Sequence, residues 1–457
     1  MTRIHARHAL LPEGWARDVT VKLAGAHIAR VETGGGDGRG EVVAVDLLLP
    51  AASNLHSHSF QRAMAGLTEA RGPDPRDSFW TWRALMFRFL DRLTPDHVEA
   101  IARQVFLEML EAGYAAVAEF HYLHHDTGGR PYARRAEMAA RIVAAARDTG
   151  IGLTLLPVLY MQGGLDGRAL SGGQRRFGCD LDDFARLHDE SAELLRDGPA
   201  DHRIGVAPHS LRAVPPAALA EVQAIAPDGP IHMHLAEQVA EVEEVEAHLG
   251  ARPVDWLLAN APVDPRWCLI HSTQMTPAET EALAATGAVA GLCPITESSL
   301  GDGIFDGRRF LSHGGRIGVG SDSNIHVALW EELATLEYSQ RLRDRARAVL
   351  AEPGRSTGRV LYDGAVAGGA QAAGRDAGRI APGALADLIG LSTDNEVLCD
   401  RAGDALLDSL IFTGRGRDCL REVWSAGRHV VTGGRHPKRD AIRRAYVETV
   451  RQLGQDI

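Results

Sequence analysis

Six apolar runs in this chain end in polar, ionisable residues. The first ends in His56-Ser-His58, the second in Glu119-Phe-His121-Tyr122 and the fourth in His209-Ser-Leu-Arg212. The fifth carries His232-Met-His234-Leu-Ala-Glu237, the sixth ends in His271, and the eighth runs into Gly320-Ser-Asp322-Ser-Asn. His56 and His58 are two apart, which places both imidazoles on one face of an extended strand. Neutral imidazole suits Zn²⁺ and also Fe²⁺. A His-x-His pair alone is ordinary, but His234 adds a third nitrogen and Asp322 a carboxylate. Groups from runs one, five and eight can meet at the axis of a closed barrel. The expectation is a metal site on His56, His58, His234 and Asp322. His232 shares a strand face with His234, yet only one of them is needed. His234 is preferred because Glu237 follows three residues on, near enough to reach a water activated at the metal. His232 is expected to support or pack.

These residues need a frame that brings distant segments together. The eight apolar runs are 47–55, 114–120, 151–159, 204–208, 231–235, 268–270, 288–292 and 317–320. Each is followed by a stretch of helical composition or a loop, and strand–helix alternation means parallel strands with crossover helices. Eight such units predict an α/β fold, a (β/α)8 TIM-type barrel, whose chemistry gathers at the C-terminal ends of the strands. No Gly-x-Gly-x-x-Gly follows the first run, which argues against a dinucleotide-binding sheet. Both chain ends read differently. Segments 18–23 and 27–32 alternate apolar and polar residues as half-buried strands do, and a glycine-rich turn at 34–40 follows. Segments 383–391 and 422–434 read as short strands with a hairpin turn at Ala426-Gly427. The expected organisation is 1–48 as the N-terminal part of a small β-sandwich, 49–375 as the barrel, and 376–457 as the rest of the sandwich with a terminal helix. Two segments, 57–90 and 161–180, are longer than barrel loops usually are and should stand over the catalytic face.

Composition removes several classes. The chain has 457 residues, with 49 Lys plus Arg against 60 Asp plus Glu, a formal charge of −11. That balance argues against nucleic acid or an anionic membrane as partner, since phosphate contacts need clustered positive charge. No apolar run approaches the ~20 residues of a spanning helix, and the start lacks the apolar stretch of a signal peptide. The five cysteines are scattered without a Cys-x-x-Cys pair, which fits reduced thiols and a cytoplasmic location.

The motifs now in hand carry a family resemblance. Pro50-Ala-Ala-Ser-Asn-Leu-His-Ser-His58, His234-Leu-Ala-Glu237, His271-Ser272 and Gly320-Ser-Asp-Ser323 resemble the metal-dependent deaminases of the amidohydrolase superfamily. Within it, the segments at 56–67, 79–83, 120–126, 207–214 and 301–305 resemble the formimidoylglutamate deiminases, enzymes of histidine degradation. The likeness runs nearly end to end. It implies a barrel with a flanking β-sandwich, one Zn²⁺ per subunit (Fe²⁺ being the other option) on His56, His58, His234 and Asp322, and proton handling by Glu237 and His271. Asp322 would take the proton of the attacking water, and His271 would hold its oxygen. A small-molecule dicarboxylate substrate follows, with Arg212 and Arg83 as carboxylate clamps, Gln61 and Tyr122 as hydrogen-bonding groups, and His209 near the formimino group. A homodimer is expected.

The chain departs from the branch in one place. Many of its deaminases carry an Asn soon after the Cys-Pro of strand seven, whereas Cys293-Pro-Ile-Thr is followed here by Glu297. Lysine bears on metal number. Lys22 and Lys438 are the only two in the chain, so the carboxylated Lys that bridges two metals in other superfamily members is unavailable. A single metal is expected. The alternative is a related deaminase acting on a nucleobase or similar ring, whose metal site would look the same. Trp80 and Trp82 could form a lid or simply pack. The acidic stretch 241–246 reads as a solvated helix face.

Overall fold

The computed structural model describes residues 2–34, 42–69 and 79–454, with side chains 79–84 outside the described set. The chain opens on β1 (Arg3–Leu11), β2 (Gly14–Ala24), β3 (His27–Thr33) and β4 (Val42–Pro50). It continues through β5 (Ala52–Ser57), β6 (Tyr114–His121), β7 (Gly152–Leu159), β8 (Arg203–Ile204), β9 (Ala207–Pro208), β10 (Ile231–Leu235), β11 (Trp267–His271), β12 (Val289–Leu292) and β13 (Arg316–Val319). It closes with β14 (Leu388–Leu391), β15 (Leu420–Ser425) and β16 (Arg428–Val431).

The barrel comes from β5 to β13. Strands β5, β6, β7 and β8 pair in parallel, as do β10, β11, β12 and β13. The fourth position is split: β8 and β9 both pair with β7, and Gly205-Val206 lies between them. Two single bridges close the circle, Val206 to Ile231 and Ser57 to Asp322. The helices behind the strands form for ordinary reasons. Helix Glu137–Thr149 buries Met138, Ile142, Val143 and Ala146, the three- and four-residue spacing of an amphipathic stripe. It stops at Gly150, whose φ of 77° suits glycine. Helix Pro277–Ala284 starts on a reciprocal cap: Glu279 N donates to Thr276 Oγ1 and Thr276 N to the Glu279 carboxylate.

The apolar run at 47–55, read as one barrel strand, divides at Ala51 between two sheets. Its first half belongs to a seven-stranded sheet ordered β16-β15-β14-β4-β1-β2-β3. There β14 lies antiparallel on β4, so the end of the chain completes what its start began. Main-chain bonds between residues 26–28 and 383–386 fold the sheet back on itself around Ile4, Val19, Val21, Ile28, Leu388 and Trp424. The turn at Ala426-Gly427 joins β15 to β16 with φ of 43° and 75°, the left-handed pair of a tight hairpin turn. The glycine-rich turn lies outside the described residues beyond Gly34.

A buried ion network ties this sheet to the barrel. Arg375 grips Asp387 at 2.8 Å and Asp201 at 3.1 Å, and Arg428 reaches Asp201 at 2.6 Å. Burial alone would push the Asp201 carboxyl up, but the Arg428 hydrogen bond and the Arg375 and Arg428 charges hold it well below the usual range. Its contribution to stability is therefore present at neutral pH and is lost as the pH falls below about 4. Replacing Arg375 by Met strands the buried Asp387 carboxylate, leaves Asp201 to Arg428 alone, and should cost about 3–5 kcal/mol. Urea unfolding at pH 7 measures that loss, and the deficit should narrow in acid as the carboxylates protonate.

Candidate active site

Strand alternation decides which residues enter the barrel mouth. His56 on β5 and His58 just past its end both turn to the ligand cluster, while Ser57 points to the layer behind, where its Oγ meets Asn324. On β6, Phe120 points in and packs edge-on against His56 and His58, while Glu119 does not line the pocket. Asp322 reaches the mouth through a backbone bend at φ 46°, and His271 through one at 70°. Left-handed backbone at a residue other than glycine costs about 1–3 kcal/mol, a strain that collects at functional sites.

The ligand atoms of His56, His58, His234 and Asp322 all lie within 4.8 Å of one another, and all four residues are buried. His56 Nε2 is 3.1 Å from His234 Nε2. Asp322 Oδ1 is 3.4 Å from His56 Nε2 and 3.3 Å from His58 Nε2. Two of the rings are oriented from behind. His58 Nδ1 donates to the Phe120 carbonyl at 3.0 Å, and His234 Nδ1 to that of His209 at 3.2 Å. Their Nε2 lone pairs are thereby left facing the centre. Burial lowers all three imidazoles, His56 to about 3, so they are neutral. Two nitrogen lone pairs about 3 Å apart repel unless a cation stands between them. Three neutral nitrogens and one carboxylate are therefore the donor set of a transition-metal dication. His232 takes no part: its Nε2 donates to the Ala372 carbonyl at 2.7 Å, as expected of a supporting residue.

Beside this cluster, His271 Nε2 lies 3.8 Å from the Glu237 carboxylate and 3.9 Å from Asp322 Oδ2. Its Nδ1 is 3.2 Å from Glu297 Oε1, which also accepts the Cys293 N–H at 2.8 Å. Glu297, left without a role at the sequence level, thus holds the His271 ring from behind. Burial opposes a charge on His271, but Glu237, Glu297 and Asp322 outweigh it and raise the imidazole well above its usual value. Burial pushes Glu237 up to about 6, near enough to neutrality to take and return protons.

These groups open into a pocket of about 630 Å³. Gln61, Tyr122, His209 and Arg212 line it together with His58, His234 and Asp322, and Met86, Phe87, Tyr160, Phe177 and Leu300 supply its apolar wall. The Gln61 amide donates to the Tyr122 hydroxyl at 2.6 Å, and its Oε1 has no partner among the described residues. Arg212 is half-buried, with its Nε buried and without a hydrogen-bond partner among the described residues, and no described carboxylate lies within ion-pair distance of it. The long segments both contribute: 57–90 brings Gln61, Met86 and Phe87, and 161–180 brings Phe177. Arg176 pins the second to the first through the carbonyls of Leu90 and Leu93. Arg83, Trp80 and Trp82 fall on helix Phe79–Leu90, but their side chains lie outside the described residues.

One expectation fails. Glu241 opens the acidic stretch read as a solvated face, yet it is 2% exposed and its carboxylate accepts the Glu237 N–H at 2.9 Å. Helix Val239–Leu249 begins two residues after Glu237, so a carboxylate in its first turn can reach back to an unsatisfied amide. Tyr160 was missed although it directly follows the third apolar run, where the strand-end rule would have found it.

The chain resembles known proteins over its full length. Residues 47–430 match the model of the Amidohydrolase family, and residues 1–41 that of the Formimidoylglutamate deiminase HutF, N-terminal domain. A formimidoylglutamate deiminase of Pseudomonas aeruginosa is 48% identical over 99% of this chain and 100% of its own. The crystal structure of an amidohydrolase from Brucella melitensis, also 48% identical, covers 99% of this chain and 100% of that one with a TM-score of 0.95. The atrazine chlorohydrolase of Arthrobacter aurescens, solved with zinc, is 21% identical with a TM-score of 0.83, covering 98% of this chain and 100% of that one. At that distance it speaks to the fold alone.

Proposed function

Within the amidohydrolase family, to which this chain belongs, we propose that it hydrolyses N-formimino-L-glutamate to N-formyl-L-glutamate and ammonia, a step of histidine degradation. One observation carries this reading from the geometry. The pocket lined by His58, His234 and Asp322 of the cluster and by the Glu237–His271 pair is also lined by Arg212, half-buried, its Nε buried and without an ion-pair partner among the described residues. A substrate with a carboxylate at one end and an amidine-like carbon at the other satisfies both.

His56, His58, His234 and Asp322 would hold one Zn²⁺, with Fe²⁺ the other ion this donor set suits. Bound there, the ion supplies Lewis-acid activation of water. The side chains do the rest. Water adds to the formimino carbon as a C–O bond forms. Asp322 takes one of the water's protons, and His271, held through Nδ1 by Glu297, keeps the attacking oxygen in place from Nε2. Glu237, protonated at the start, protonates the imine nitrogen. It is recharged with the proton that Asp322 took and gives it to the resulting amine. The bond from carbon to that nitrogen breaks, ammonia leaves, and the hydroxyl proton released as the carbonyl forms restores Glu237. His209 stands beside the formimino group, and Gln61 Oε1 accepts from a substrate N–H. Tyr122 holds the Gln61 amide, and Met86, Phe87 and Phe177 cover the methylenes. Arg212 clamps one carboxylate, and Arg83 is the candidate for the other.

The test is ammonia release from metal-replete protein, offered N-formimino-L-glutamate, guanine, cytosine and adenosine in parallel. Turnover of the first alone is expected, and a nucleobase processed faster would overturn the reading. The clamp has its own test. Replacing Arg212 by Met removes a charge-assisted pair of about 1.5–3 kcal/mol. KM should rise roughly 10- to 150-fold, and an unchanged KM would remove Arg212 from the clamp.

A further inference from the structure

Behind the ligand cluster runs a buried chain of side chains that the mechanism does not use. Asn54 Nδ2 donates to Ser321 Oγ at 2.6 Å, and Ser321 Oγ donates to Asn324 Oδ1 at 2.6 Å. Asn324 Nδ2 donates to Ser57 Oγ at 3.2 Å and to the Asp322 carbonyl at 2.9 Å. Ser57 in turn bonds the Glu119 carboxyl, which also accepts the Ser59 N–H at 2.7 Å. Asn54 Oδ1 closes the other end, accepting the Ser321 N–H at 3.1 Å and the His56 N–H at 3.4 Å. All five residues are at most 2% exposed. Donors and acceptors run in one consistent direction, so each amide and hydroxyl has a single satisfied orientation.

The position of this chain gives it a purpose. Neighbouring strands within each half of the barrel share ladders of several residues, but β13 meets β5 through the single bridge of Ser57 and Asp322. That bridge consists of two main-chain bonds, Asp322 N to the His56 carbonyl and His58 N to the Asp322 carbonyl, both 2.9 Å. Gly320 allows the close approach, since a Cβ there would stand 2.7 Å from the His56 nitrogen. Three of the four ligand residues straddle this weakly laddered seam. Both Asp322 and Asn324 hold left-handed backbone, at φ 46° and 55°, and the Asn324 amide is bonded to the Asp322 carbonyl between them.

We propose that Asn54, Ser57, Ser321 and Asn324 are positioning residues that set metal affinity, by fixing Asp322 against His56 and His58 where the strand ladder is too short to do so. This rests on the metal reading of the cluster, not on the identity of the substrate. The general expectation for residues that hold metal ligands from behind is a 10- to 100-fold loss of affinity on removal.

The test uses the full-length protein in zinc competition against a chromogenic chelator, with thermal melting of the zinc-free form read alongside. Ser321→Ala and Asn324→Ala are the main variants. Ser57→Ala, at the outer end of the chain, is a milder probe should either fail to fold. Leu407→Ala, a core truncation in helix Asp404–Phe412, is the control for general destabilisation. The seam variants should bind zinc roughly 10–100-fold more weakly, Ser57→Ala at the low end of that range. Leu407→Ala should melt earlier yet keep the parental affinity. Zinc affinity within twofold of the parent in every seam variant that folds would overturn the proposal. So would an equal loss in Leu407→Ala. A failed substrate assignment would appear instead as absent ammonia release from a parent that binds zinc normally.

Discussion

Replacing Glu237 by Gln should lower turnover roughly 10²- to 10⁴-fold, the usual worth of a general acid–base group, and leave the metal content unchanged. The two halves of this expectation have separate grounds. Glu237 is not among the four residues whose ligand atoms converge, so an isosteric amide there removes no donor from the cluster. It does remove the carboxyl that burial brings to about 6 beside His271. Gln can hydrogen-bond the substrate nitrogens but cannot carry a proton from water to the leaving amine. Its main-chain N–H stays bonded to Glu241, so the backbone turn survives the change. Steady-state kinetics with elemental analysis of the same preparation decide the matter. Near-parental turnover at full metal occupancy would end the assignment of Glu237 as proton carrier.

Asp322→Asn should fail in the opposite order, losing the metal first and activity as a consequence. The amide keeps the shape of the carboxylate but gives up the only negative charge in the ligand set. The three imidazoles are neutral, so the carboxylate alone offsets the charge of a dication. The loss of affinity should exceed the roughly 10–100-fold found when residues behind a ligand are removed. Turnover should fall to the level of parental protein stripped by a chelator. Metal retained in stoichiometric amount after gel filtration would contradict the ligand role. Glu237→Gln should bind metal with turnover much reduced, and Asp322→Asn should do neither, so the pair separates holding the ion from moving protons.

Much of this site was legible because its signals are local. His56 and His58 share a strand face by a two-residue spacing. His234, Glu237, His271 and Asp322 sit at or just past the ends of apolar runs, where a parallel barrel exposes what it carries. Eight such runs named the fold. The residues that escaped notice work through contacts far apart in the chain. Glu297 acts on His271 from 26 positions away and Asn54 on Ser321 from 267. Glu241 was misread because acidic composition on a helix is usually solvated, and nothing in its neighbours shows that an amide of the preceding loop needs an acceptor.

Residue type and periodicity in the primary order were enough to predict the barrel and the convergence of three imidazoles and a carboxylate at its mouth, whereas the proton-handling roles of Glu237 and His271 came from the family resemblance. The barrel and that convergence depend on short-range geometry, the alternation along a strand and the place where it ends. Which ring nitrogen faces the centre, what orients His271, and how the closing strands are held in register were decided only in three dimensions. Those facts are hydrogen bonds between segments that the chain's own order does not bring together, and folding alone sets their partners.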